Sequence, residues 1–181
     1  LEECMYDITK NLRSEERHQI IYTLSQWIIA HTENDSNVDK VGDIIKHTAR
    51  CTKTDIFENS IGSALFRSLL KMLTVNSERV RLLGNQILCQ LLDRHNYSQN
   101  FTSPQILYLS FEFTFIDGIH YRAKDKDFVK ENRENLNKAI ECSLLNARTK
   151  ENLENSYRVL CLLAMEVKCA YVTATIAYIL M

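Results

Sequence analysis

Glycine and proline are nearly missing: the chain has four glycines and one proline in 181 residues. Sandwiches and barrels need turn chemistry roughly every 8–12 residues. This chain cannot supply it, which excludes the all-β classes and predicts an all-α fold. An excess of one charge is missing too. Lys and Arg number 22 against 23 Asp and Glu, for a net charge of −1 and a pI near 6.6. That excludes a polybasic nucleic-acid surface and an acidic tail. No CxxC pair occurs among the six cysteines, Cys4, Cys51, Cys89, Cys142, Cys161 and Cys169. With apolar helical neighbours, they read as buried free thiols in a reducing compartment.

Catalytic signatures are missing as well. There is no GxGxxG, phosphate-binding GxxxxGK[ST], HExxH, EF-hand loop or GxSxG elbow. His18, His31, His47, His95 and His120 are scattered, and no pair of them has ligand spacing with a carboxylate or cysteine partner. Arg94 and His95, after Asp93, read as cations favouring a helix C-terminus. No catalytic, cofactor-binding or metal-binding residue is therefore assigned, no cofactor is expected, and the chain reads as a non-enzyme. No signal peptide is visible, so the sequons at Asn96 and Asn100 read as chance. The opening LEECMYDITKNL lacks an initiator methionine and reads as mid-helix, which suggests a fragment of a longer chain.

What is present is helical periodicity. The composition, 45% hydrophobic and 25% charged, is that of one globular domain over residues 1–181. Ile20, Ile21, Leu24, Trp27 and Ile28 recur at the spacing of one helix face over 15–31, with Ser14 as the expected N-cap. Val38, Val41, Ile44, Ile45 and Thr48 make the next stripe, and Ile61, Leu65, Phe66, Leu69, Met72 and Leu73 another. Further helices are expected over 77–95, 126–146 and 150–167. The links at 11–14, 32–37, 53–60 and 74–76 are short, so successive helices should lie antiparallel. Pairs of this kind suggest an armadillo/HEAT-like helical-repeat solenoid, with a plain helical bundle as the alternative.

Residues 106–116 break the pattern. Leu107, Leu109, Phe111, Phe113 and Phe115 alternate with Tyr108, Ser110, Glu112 and Thr114, the period of a half-buried strand. A loop or strand insert is expected over 96–122, with a short extended or β-hairpin piece around 105–122. An exposed apolar edge there would suit a docking partner. The mixed charges of 122–130 read as a solvated linker and helix start, with a phospholipid headgroup site as the weaker alternative.

The only long apolar run is VLCLLAMEVKCAYVTATIAYILM, 159–181. It is long enough for a membrane span of roughly 20 residues. Glu166 and Lys168 would then sit near the bilayer centre, each at a cost of about 2.5–3.5 kcal/mol. A break near 166–169 is the better expectation, with Glu166 and Lys168 exposed at the turn and a second helix starting near Ala170. Cys161 and Cys169 would share a face if the helix ran on, and read as core rather than metal ligands or lipid anchors.

Two blocks resemble a known family. They are SALFRSLLKMLTVNSERVRLLGNQILCQLLDRHN, 63–96, and AKDKDFVKENRENLNKAIECSLLNARTKENLENSYRVLCLLAMEV, 123–167. In order and spacing, LLKM, VR, QILCQLLDRH, DF.KEN and NLENSYRVLCLLAMEV are similar to the EFR family, whose fly member is called rolling blackout. The resemblance covers about two thirds of the chain. It implies a rod of armadillo/HEAT-like repeats at the cytoplasmic face of the plasma membrane. The rod would recruit the type III alpha phosphatidylinositol 4-kinase complex through a tetratricopeptide-repeat adaptor and support phosphatidylinositol 4-phosphate synthesis. The family's N-terminal palmitoylated cysteines, basic patch and adaptor-binding tail match no position here, so membrane contact would come from parts outside this stretch. A lipase-like enzyme and a generic trafficking adaptor are the alternatives. The first would need a nucleophile motif that these residues do not show.

Overall fold

A computed structural model describes residues 2–32, 35–52, 56–101, 122–167 and 169–180. All regular structure among them is helical. In chain order the α-helices are α1 (Glu2–Asn11), α2 (Ser14–Ala30), α3 (Asp35–Arg50), α4 (Phe57–Ser60), α5 (Ser63–Met72), α6 (Glu78–Leu92), α7 (Ala123–Leu145), α8 (Lys150–Glu166) and α9 (Ala170–Leu180). A 3₁₀ turn, Tyr97–Phe101, follows α6.

The helices form two layers. In one, α1, α3, α6 and α8 lie side by side; in the other, α2, α5, α7 and α9 do. Each pair joined by a short link, α2 with α3, α5 with α6 and α7 with α8, packs across the layers. This is the stacked-hairpin logic of an α-solenoid, in which each pair buries its apolar face against the next. The most extensive packing is between α6 and α8. Ten of the fifteen residues of α6 are buried, because neighbours cover it on three sides. Phe66 of α5 meets Phe128 of α7 with ring centroids 5.0 Å apart. Leu69, Ile87, Leu88 and Leu162 are fully buried in the same core, each contributing roughly 1.5–3 kcal/mol by leaving water.

Several ends differ from the sequence expectation. The N-cap of α2 is Arg13 rather than Ser14. The Arg13 N–H donates to Glu16 Oε2 at 2.8 Å, and its guanidinium donates to Glu16 Oε1 at 2.9 Å. A carboxylate at N3 thus satisfies an orphan backbone donor, which leaves Ser14 inside the helix. The link over 53–60 carries the single turn α4. Gly62 then adopts φ +65° as N-cap of α5, a conformation that suits glycine. The expected hairpin at 105–122 lies outside the described residues, except for Arg122, the extended N-cap of α7.

The long apolar run is divided. The α8 helix ends at Glu166 and α9 begins at Ala170, so Cys161 and Cys169 do not share one helix. Among the described residues, no helix is long and apolar enough to cross a membrane. Glu166 is not the exposed turn residue expected: it is 5% exposed. Lys168 lies outside the described residues. All six cysteines are free, but only Cys89 is fully buried; Cys4 is exposed and the other four are half-buried.

Candidate functional site

The chemistry-bearing side chains converge on three polar ties that cross α6, α7 and α8 at successive heights. The upper tie lies past the C-terminus of α6. The Arg94 guanidinium donates from Nη1 to Asp125 Oδ2 at 2.7 Å and from Nε to Glu166 Oε2 at 2.9 Å. Its Nη2 reaches the Glu166 carbonyl at 3.0 Å, and its plane sits 3.9 Å from the centre of the Phe57 ring. The three charged side chains are 10%, 3% and 0% exposed. Asp125 also accepts the Phe57 backbone N–H at 2.9 Å. Glu166 Oε1 accepts the backbone N–H of Arg94 at 3.1 Å and of His95 at 3.2 Å. His95 Nδ1 lies 2.9 Å from Glu166 Oε2, while its ring is 44% exposed.

One arginine thus bridges two buried carboxylates from two other helices, and each carboxylate has further donors. That is the arrangement a buried charge cluster requires. Arginine suits it because its planar fork serves several acceptors at once and stacks on an aromatic face. The neighbouring Asp93 takes the Tyr97 N–H at 2.6 Å and the Ser98 N–H at 3.3 Å, folding the chain into the 3₁₀ turn. The expected helix-dipole role of Arg94 and His95 is therefore replaced by an inter-helix one. Both side chains face the end of α8 instead of the carbonyls of their own helix.

The middle tie is built on Asn85. Its amide donates to Ser143 Oγ and Ser156 Oγ at 2.9 Å each, and to Asn152 Oδ1 at 3.1 Å. Ser143 and Ser156 lie 2.9 Å apart, and the Ser156 hydroxyl donates to the Asn152 carbonyl at 2.9 Å. All four residues are buried. The lower tie joins the helix links. Buried Arg81 donates to the carbonyls of Val75 at 2.7 Å, Asn76 at 2.8 Å and Asn146 at 2.7 Å. Glu78 Oε1 accepts the Arg148 and Thr149 N–H groups at 2.7 Å each. Burial pushes the Glu78 carboxyl up. The N–H groups of Arg148 and Thr149, with the Thr149 and Asn152 side chains, outweigh it and hold the carboxyl below its usual range.

Two shallow grooves cross the α3–α6–α8 face. One, of about 400 Å³, is lined by Asp39, Asp43, Lys46 and Arg79 among others. The other, of about 350 Å³, includes Arg50, Gln90, Glu154 and Arg158. Their charges are mixed and partly engaged, as in the pairs Arg79–Asp39 and Lys46–Asp43. No group of three or more His, Cys, Asp or Glu able to hold a metal ion occurs among the described residues.

A family model described as EFR3, armadillo repeat, matches residues 1–181. The chain belongs to this family. No curated protein and no solved structure matches it. The EFR3 blocks can now be placed on the fold. VR holds Arg81, LLDRH holds Asp93, Arg94 and His95, and NLENSY holds Asn152 and Ser156. AMEV holds Glu166, and AKD holds Asp125. In this EFR3 armadillo chain, these polar residues of the two blocks bind the helices to one another. Sequence reasoning did not anticipate the ties, although a signal was there. Arg81, Asn85, Leu88 and Leu92 follow one another at i, i+4, i+7 and i+11. A polar group in that register faces the core and requires a partner.

Proposed function

We propose that this chain is a non-enzymatic scaffold segment of a peripheral plasma-membrane protein. In this reading it helps recruit a type III alpha phosphatidylinositol 4-kinase complex, through a tetratricopeptide-repeat adaptor, and so supports phosphatidylinositol 4-phosphate synthesis. Membership of the EFR3 armadillo family supports the scaffold part. The single structural observation that carries it is the use of the buried ionic side chains. Arg81, Arg94, Asp125 and Glu166 each bond to other helices or their links. A stiff stack with a long surface is what a scaffold needs.

The test is kinase recruitment to the plasma membrane by the full-length protein with and without residues 1–181. The expected result is a several-fold loss of recruited kinase when the segment is deleted, with membrane attachment of the remainder retained. Undiminished recruitment would reduce the segment to a spacer and sink this reading.

A further inference from the structure

The charged stretch that opens α7 mixes signs in sequence, but the helix sorts them. Lys126, Lys130 and Arg133 follow at i, i+4 and i+7 and are all exposed. They form one stripe along the flank of α7 that faces α9. Lys130 Nζ lies 5.8 Å and Arg133 Cζ 6.0 Å from the centre of the Tyr171 ring on α9, within the range at which a ring face attracts a cation. Among the described residues none of the three stands in an ion pair. Beyond the stripe the seam between the helices is closed by polar contacts, Thr175 Oγ1 to Asn137 Oδ1 at 2.7 Å and the Tyr178 hydroxyl to Glu141 Oε2 at 3.2 Å. Glu141 is the carboxylate at that end. The α9 side brings no charge, since residues 170–180 contain no Asp, Glu, Lys or Arg.

Apart from Glu141, the exposed acidic residues of α7 lie off the stripe, with Glu134 one turn from Lys130. Phe128, Asn132, Leu136 and Ala139 mark its buried face. Asp127, Glu131 and Glu134, with Lys124 and Lys138 among them, fall on the outward ridge. This placement discriminates between anionic ligands. A flat anionic bilayer would meet the carboxylates of the ridge first. A narrow polypeptide lying along the seam would meet the cations and pass beside the ridge.

We propose that the α7–α9 seam, through Lys126, Lys130 and Arg133, docks an extended acidic segment of a partner protein. Successive cations of the stripe are about 6 Å and about 4.5 Å apart along the helix axis. Alternate side chains of an extended strand are spaced by about 7 Å, a difference that the long, flexible lysine and arginine side chains can span, so a segment with carboxylates at every second position can reach the stripe. Tyr171 keeps two of the cations at the seam, and recognition of this kind depends strongly on salt. The inference stands on the surface charges alone and does not rest on the kinase-scaffold reading.

The test is fluorescence anisotropy of a labelled peptide of alternating glutamate and alanine, titrated with the 181-residue chain at low salt. Saturable binding is expected. It should weaken by about tenfold or more in Lys126→Glu/Lys130→Glu/Arg133→Glu, a change on the order of 1.4 kcal/mol, and survive in the ridge variant Asp127→Asn/Glu131→Gln/Glu134→Gln. Thermal unfolding checks that each variant folds, and a Gln version of the triple carries the test if the Glu version does not. Failure of the peptide to bind, or binding indifferent to the stripe, overturns the proposal. So does stripe-dependent binding to phosphatidylserine vesicles without binding to the peptide, which would make the ligand a membrane.

Discussion

Single side chains in this protein are defined by the partners burial forces on them. Cys89 shows this most simply. Its thiol is enclosed, and burial pushes its pKa up to about 12, so at neutral pH it is protonated and inert. Cys4 is exposed. Thiol labelling of the native chain at about pH 8, near the ordinary thiol range, is therefore expected to modify Cys4 readily and Cys89 only after unfolding, as read by peptide mass mapping. Labelling of Cys89 at the same rate as Cys4 would mean that α6 is not packed as described. The residues read least well from sequence are charged ones. Glu166 in an apolar run has the look of a turn residue because isolated carboxylates avoid interiors. It is buried because Arg94, distant in sequence, meets it there, and a partner of that kind leaves no local periodic trace.

At the scale of the helix, the periodic stripes are legible in the sequence nearly to their ends. The break between α8 and α9 is legible too, because Glu166 and Lys168 interrupt the apolar run within three residues of each other. Helix starts are read less well: α2 takes its cap from Arg13 and Glu16, a pair that competes with the usual Ser cap. Packing between elements has its own signature in Gly84. A Cβ there would meet Met72 Cβ and Leu73 Cδ2, each at 3.0 Å. Met72 Cβ is fixed to the α5 backbone and cannot give way. Alanine favours a helix interior over glycine by up to about 1 kcal/mol, whereas overpacking costs about 1–3 kcal/mol. Gly84→Ala is therefore expected to lower the urea midpoint, and a rise would show that α5 and α6 have slack.

The link between α7 and α8 gives a prediction in pH. The Glu78 carboxyl is held below its usual range in the fold, so its contribution is present in full above the unfolded carboxylate range, near about pH 4.3. It is lost as pH falls through the lower, folded value. Glu78→Gln should melt below the native chain at neutral pH, and the two melting temperatures should converge on acidification through that range. A gap that stays constant with pH would show that the Arg148 and Thr149 N–H groups do not depend on the charge.

Taken as a whole, the molecule is a stack of helix pairs in which nonpolar burial supplies most of the driving force and polar ties fix the register. Burial alone would let neighbouring pairs slide by a turn at little cost. Arg81 with Glu78, Asn85 with its serines, and Arg94 with Asp125 and Glu166 would each lose partners in a slipped register, leaving buried groups unpaired at about 1–3 kcal/mol apiece or more for charges. This explains why polar residues of the family-like blocks, such as Arg81, Asn152 and Glu166, sit inside. The all-α class is visible in the composition and the periodicity, while the choice of solenoid over bundle leans on the family likeness. The ties are not, because each depends on residues brought together from three helices.

The most direct test of register-fixing by the ties is a double-mutant cycle between Arg94 and Glu166 in equilibrium urea unfolding, with Arg94→Met, Glu166→Gln and the double variant. Removing one partner of a buried pair should cost about 3–5 kcal/mol. The double variant should be far less damaged than the sum of the two, giving a coupling energy above about 1 kcal/mol. Additive effects, with a coupling energy below about 0.5 kcal/mol, would contradict the claim that these residues bind one helix pair to the next.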